Sequence, residues 1–322
     1  MSGDTLDRRR LLALLGALPA AATAPSALAA AAAPAPTPLP RVTAGRVERL
    51  GDFPSRHVAS RNVDVWLPPG YDGSRRHAVL YMHDGQMLFD AATTWNRKAW
   101  GVDAVAAPLL AAGALRPFIV VGPWNGGAAR HSEYYPQAFL DHLQPATLRK
   151  AFIDEALQGR PRADAYLRFL VEELKPAIDA RYATLPRPQD TCVMGSSMGG
   201  LISVYALLSH PGVFGAAAAL STHWIATFAR NAEFPAAACA WLAANLPADP
   251  ARLRLYMDRG TATLDALYDD AQGKVDALLR ARGLQAPGWV SEVFEGAGHD
   301  EDAWSSRLDV PLRFLFGKGD GA

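Results

Sequence analysis

At 322 residues and 50% hydrophobic content, the chain can bury a substantial core within one domain. Its 32 basic residues balance 32 acidic ones, so no charge excess points to nucleic acid or another polyanion as a partner. Two cysteines cannot build a disulfide framework, and no Cys/His cluster has metal-ligand spacing; neither a metal nor a cofactor is expected.

The first 29 residues read as a signal rather than as fold. Arg8, Arg9 and Arg10 precede Leu11 and Leu12, an apolar stretch runs to Ala24, and Ala27-Leu28-Ala29 offers a cleavage site. Consecutive arginines before two leucines suggest the twin-arginine route. The alternative, a retained anchor, fits less well because the stretch is short and broken by Gly16 and Pro19. Residues 30–45, rich in Ala and Pro through Pro40, read as a linker, and 46–318 as the folded domain. A periplasmic or secreted protein is expected, mature from near residue 30, without stable membrane association once the signal is removed.

Val63, Val65 and Leu67 alternate with polar or amphipathic neighbours as in a strand, closed by Pro68-Pro69-Gly70. The apolar run 78–82 is the next strand and ends at His83-Asp84-Gly85-Gln86; residues 118–121 follow and end at Gly122-Pro123-Trp124-Asn125. Residues 128–162 are too long for an ordinary connection and read as a partly helical lid or a peripheral insertion. A helix over 164–180 carries Phe169, Leu170, Leu174 and Ile178 on one face. Residues 191–194 form a buried strand, and the helix after it stops at His210-Pro211-Gly212. Strands at 216–220 and 253–257, a helix at 264–282 capped by Gly283, a last strand at 289–294 and a final helix with Trp304, Leu308, Leu312 and Leu315 complete the chain. Strands alternating with helices imply a doubly wound, mostly parallel sheet covered on both faces, with reactive groups at the carboxyl ends of the strands.

Between the 191–194 strand and its helix lies Gly195-Ser196-Ser197-Met198-Gly199, the Gly-x-Ser-x-Gly turn that lifts a serine hydroxyl above a sheet. Ser197, flanked by glycines two places either side, is the expected nucleophile, and a serine needs a base to take its proton. Chain order on this sheet is serine, acid, histidine, which selects His299 after the last strand. His83 precedes the turn and reads as structural. His57, His77, His131, His142 and His210 read as surface or loop residues. The acid should follow the penultimate strand: Asp265 is preferred because it can swing over the strand ends, with Asp258 as the alternative. Oxyanion donors are expected from the N–H groups of Met198 and Gln86.

These residues also carry a family resemblance. Val65-Trp66-Leu67-Pro68-Pro69-Gly70-Tyr71, Tyr81-Met82-His83-Asp84-Gly85-Gln86, Gly195-Ser196-Ser197-Met198-Gly199-Gly200-Leu201 and Gly296-Ala297-Gly298-His299-Asp300 together resemble the putative-esterase family. That α/β-hydrolase group holds feruloyl and acetyl-xylan esterases, enterochelin esterase-like proteins, S-formylglutathione hydrolases and mycolyltransferases. The resemblance spans about 61–316 and implies Ser197 as nucleophile, His299 as base and the Asp84-Gly85-Gln86 turn as oxyanion loop. Several relatives place the acid in Gly-Thr-x-Asp/Glu, whereas Gly260-Thr261-Ala262 is followed here by Thr263, with Asp265 two places later.

The implied activity is hydrolysis of a small-molecule or carbohydrate-linked ester through an acyl-enzyme. An acyltransferase with the same residues, or a silent binding module, is the alternative. Trp95, Trp100, Trp124 and Trp224 lie in loops that suit an aromatic acyl group or a sugar ring, among aromatic-acyl, acetyl-carbohydrate and siderophore esters. Trp124, Asn125, His223 and Trp224 are the expected lining of the pocket.

Overall fold

The computed structural model describes residues 37–318; the signal at 1–29 and the start of the linker lie outside the described residues. Eight strands form one sheet: β1 (Arg46–Phe53), β2 (Arg61–Leu67), β3 (Ala78–Met82), β4 (Phe118–Pro123), β5 (Thr191–Ser196), β6 (Ala216–Leu220), β7 (Leu255–Gly260) and β8 (Trp289–Phe294). Their order is β1-β2-β4-β3-β5-β6-β7-β8, with β1 and β2 antiparallel at one edge and β4 through β8 parallel. This is the α/β-hydrolase fold. Strand β1 has no counterpart among the sequence-based expectations, because its residues RVERLGDF mix charge with few apolar positions. It is a half-exposed edge strand whose pattern carries little burial signal.

Strands β3 to β6 are buried on both faces, which is why they read as continuous apolar runs. Alternate residues still divide between two cores. Val193, Ala217 and Met257 face the helix Met198–Ser209, while Cys192, Met194 and Tyr256 face the helices Val102–Ala111 and Asp309–Phe316. Cys192 is a buried free thiol, pushed up to about 11 by that burial.

Three expected helices are each subdivided. The 164–180 helix is Ala163–Arg168, a wide turn Phe169–Leu174 and Lys175–Arg181. The 264–282 helix is a tight 3-10 turn, Thr263–Leu267, then Asp269–Ala281, with Gly283 at φ +80° closing it. The final helix is Glu301–Ser305 and then Asp309–Phe316. Strand β7 runs on to Gly260, so Asp258 lies within it rather than at its end.

The segment 128–162 packs against the core. Tyr135 and Phe152 meet Phe234 edge-on, and Phe139 meets Tyr205 and Trp241. A buried two-pronged ion pair, Arg61 Nη1 and Nη2 to Glu133 at 2.8 Å each, ties the segment to β2. Among the described residues no helix is long and apolar enough to cross a membrane.

Candidate active site

Ser197 joins β5 to the helix Met198–Ser209 with φ 57° and ψ −121°. For a residue with a side chain such a backbone costs on the order of 1–3 kcal/mol and persists only where its surroundings enforce it. Here Ser197 N–H donates to Leu220 O (2.9 Å) and Ser197 O accepts from His223 N (3.2 Å). The sharp turn needs Gly195, where an added Cβ would lie 2.8 Å from the Gly199 carbonyl carbon. At Gly199 itself a Cβ would meet His83 Cβ only at 3.5 Å, an ordinary contact. Met198 is the first helical residue, so its N–H has no acceptor within the helix and lies at the positive end of the dipole.

The loops after β7 and β8 bring Asp265 and His299 together. Asp265 Oδ1 lies 2.5 Å from His299 Nδ1, and Asp265 is fully buried. Its Oδ2 accepts from Gly260 N and Ser221 Oγ, both at 2.6 Å, so both carboxylate oxygens are held. The expected shift from the relatives' pattern has a structural counterpart: Thr263 takes φ 54° and its Oγ1 accepts His299 N–H at 2.8 Å, placing Asp265 one 3-10 turn further on. Asp258 stands elsewhere. Arg307 grips it at 3.0 and 3.2 Å, Tyr256 donates to it, and burial pushes its carboxyl above the usual value despite Arg307. The alternative acid is therefore an ion-pair partner of Arg307.

A cavity of about 750 Å³ holds Ser197, Met198 and His299 in its wall together with Asp84, Asn125, Arg130, His131, His223, Trp95, Trp100, Phe228 and Trp304. Two of the expected lining residues are absent from it. Trp124 turns toward the sheet edge, its Nε1 donating to Asp64 (2.9 Å) beneath Arg49. Trp224 is a core residue whose Nε1 donates to Gln272 (2.8 Å). His131, expected at the surface, borders the cavity. Gln86 sits in the 3-10 turn Gly85–Met87, its Oε1 accepting Asn125 N–H at 3.1 Å. That turn lies against β4 only because residue 85 is glycine: a Cβ there would come within 2.0 Å of Gly122 O.

Several contributors had little sequence signal. Ser221 Oγ donates to Asp265 and accepts from Trp304 Nε1 (2.9 Å) and Arg307 (3.1 Å), joining Asp265 to the wall. Its place just past β6 was the only clue. Arg130 grips Asp84 at 2.7 and 2.8 Å, and Asn125 Nδ2 donates to the same carboxylate at 2.6 Å. Burial opposes ionisation of Asp84, but the Arg130 charge and these bonds overcome it and hold the carboxyl below its usual value. His223 Nδ1 lies 2.6 Å from Tyr268 OH, and burial keeps its imidazole well below the usual value, hence neutral. On the opposite wall, Lys98 bridges Asp300 and Asp302 at 2.8 Å, and Trp100 stacks on Trp304 at 5.3 Å.

His83 is buried beneath the elbow, with Nδ1 2.9 Å from Tyr166 OH and Nε2 without a hydrogen-bond partner. Burial lowers its pKa from 6.5 to about 4. Between those values the unfolded chain binds more protons than the fold, so the stability that His83 contributes is complete above pH 6.5 and is lost as pH falls toward 4. The loss is on the order of 3 kcal/mol. Thermal unfolding of His83→Asn across this window should show a shallower fall in Tm than the parent; an unchanged slope would refute the assignment.

Comparison with known proteins supports the fold and an ester-hydrolase activity. The family model described as "Putative esterase" matches residues 57–315. The uncharacterized protein YbbA of Bacillus subtilis is 22% identical over 276 residues, covering 83% of this chain and 97% of YbbA. The enterochelin esterase of Shigella flexneri superposes with a TM-score of 0.63 at 19% identity, over 86% of this chain and 59% of that one. A ferulic acid esterase of Anaeromyces mucronatus, solved with ferulic acid, gives 0.55 at 17% identity over 84% and 91%. With most of its folded length matched by the family model, the chain belongs to the putative-esterase family and is a carboxylic ester hydrolase.

Proposed function

We propose that this protein is an exported serine esterase with Ser197 as nucleophile, His299 as general base and Asp265 as the acid that orients the base. The observation that carries the reading is the 2.5 Å contact between Asp265 and His299 Nδ1, in one cavity with a serine held on a strained turn. With Nδ1–H committed to Asp265, His299 Nε2 is the free basic nitrogen. Ser197 Oγ attacks the ester carbonyl as its proton passes to Nε2. The oxyanion forms against the N–H groups of Met198 and Gln86. His299 then protonates the departing alcohol, and water attacks the acyl-enzyme by the same route, releasing the acid and restoring Ser197.

An aromatic acyl group suits the cavity. Trp95 is 85% and Phe228 54% exposed at the cavity wall, with Trp100 and Trp304 stacked deeper. Large exposed aromatics are costly to leave in water and gain area on meeting an aromatic ring. The ferulic acid in the Anaeromyces relative's structure supports the same preference. Export rests on the pattern of residues 8–29.

One mass-spectrometric experiment addresses both parts. Protein recovered from the medium or periplasm of the native host should begin near residue 30. Treatment with an organophosphonate should add a single adduct, on the peptide containing Ser197. An intact Met1 or Ser2 start in the cytoplasm would overturn export; an unlabelled Ser197 in folded protein would overturn the nucleophile.

A further inference from the structure

We infer that the chain carries a second binding site, for a small oxyanion bearing a carboxylate or phosphate, in a recess of about 780 Å³ that shares no residue with the catalytic cavity. The inference does not depend on the esterase reading. Four arginines, Arg56, Arg160, Arg162 and Arg168, line the recess together with His57 and Asp164.

Asp164 and the carboxylates that hold His57 and Arg56 are already engaged. Asp164 accepts from Tyr205 OH at 2.7 Å, Glu172 lies 2.9 Å from His57 Nε2, and Glu173 takes Arg56 at 3.2 Å. Arg160, Arg162 and Arg168 form no ion pair within 4 Å and no side-chain hydrogen bond among the described residues. Arg61, Arg116, Arg130 and Arg307, by contrast, each lie against a carboxylate. Three guanidinium groups free of ion pairs therefore line one concavity whose lining holds a single carboxylate, Asp164, bound by a tyrosine hydroxyl. Like charges held that way repel, and an oxyanion placed among them converts the repulsion to attraction. The planar fork of arginine matches carboxylate and phosphate oxygens two at a time. The volume falls in the range of small-molecule sites, large enough for a sugar acid or a sugar phosphate.

The position is also informative. Residues 56–59 lead into β2, whose first residues pair with the end of β4: Val63 stands opposite Pro123, and Trp124 N–H donates to Asn62 O. The recess thus opens at the same edge of the sheet as the carboxyl ends of the parallel strands, where Ser197 lies. An acidic substituent of a larger substrate could be held there while the ester is cleaved alongside.

Titration calorimetry on the full chain at low ionic strength, with glucuronate in one arm and inorganic phosphate in the other, tests the site. Saturable binding of either anion, weakened by added salt, is expected, and the arm that binds identifies the oxyanion. Replacing Arg160, Arg162 and Arg168 together by serine should raise Kd about tenfold or more, while hydrolysis of a small neutral ester is unchanged. Should that variant fail to fold, the triple lysine replacement keeps the charge but loses the fork, and should still raise Kd severalfold. No saturable binding in either arm, or equal binding by the folded variants and the parent, would overturn the inference.

Discussion

Ser197→Ala should leave a folded protein whose ester hydrolysis falls by roughly four to six powers of ten, because loss of the nucleophile removes the acyl-enzyme path altogether. Ser196→Ala should retain most of the activity. Both serines border the cavity, but Ser196 is the last residue of β5, and only Ser197 has the strained φ of 57° at the helix start. Alanine at 197 keeps the Cβ that the turn already accommodates, and the bonds holding the turn use main-chain atoms, Ser197 N to Leu220 and Ser197 O from His223. The unfolding temperature should therefore change little. Steady-state kinetics on a chromogenic ester, alongside thermal unfolding, reads both quantities. A dead Ser196→Ala enzyme with an active Ser197→Ala counterpart would place the nucleophile one residue earlier.

The second large effect separates two buried aspartates that the sequence could only rank. Asp265→Asn should lower kcat by about four powers of ten, since an amide facing Nδ1 favours the tautomer that leaves Nε2 protonated and useless as a base. Asp258→Asn should act on stability instead. Asp258 touches Arg307 and Tyr256, not His299, and weakening one side of a buried ion pair costs about 3 kcal/mol or more. The two variants should thus lie on different axes, one slow and nearly as stable as the parent, the other active but melting several degrees earlier. Ser221→Ala should fall between them, because its hydroxyl holds Asp265 Oδ2 while accepting from Trp304 and Arg307. If Asp258→Asn proved the slow variant, the acid would have to be reassigned; if neither were slow, Ser197 and His299 would work as a dyad.

What the chain declares on its own is local. Apolar runs at 78–82 and 216–220 coincide with β3 and β6, which are buried on both faces, while the run at 289–294 marks β8, a half-exposed strand at the sheet edge. The glycine spacing around Ser197 marks the elbow because Gly195 must let the backbone of Gly199 pass at van der Waals distance. The expected order of serine, acid and histidine follows from the sheet. Side-chain direction was not legible in the same way. Trp124 and Trp224 stand in loops beside cavity residues, yet one hydrogen-bonds Asp64 at the sheet edge and the other Gln272 in the core. His131 carries no periodic signal and reaches the cavity because the segment around it is tied down by Glu133 and Arg61. Asp258 and Asp265 are seven residues apart. Only the tertiary structure separates their surroundings, because Arg307 reaches Asp258 from the turn between two helices, 49 positions later, while Thr263 and Ser221 hold the groups where Asp265 meets His299. Backbone pattern is written in neighbouring residues; the partner of a buried charge is set by whichever distant element the fold packs against it.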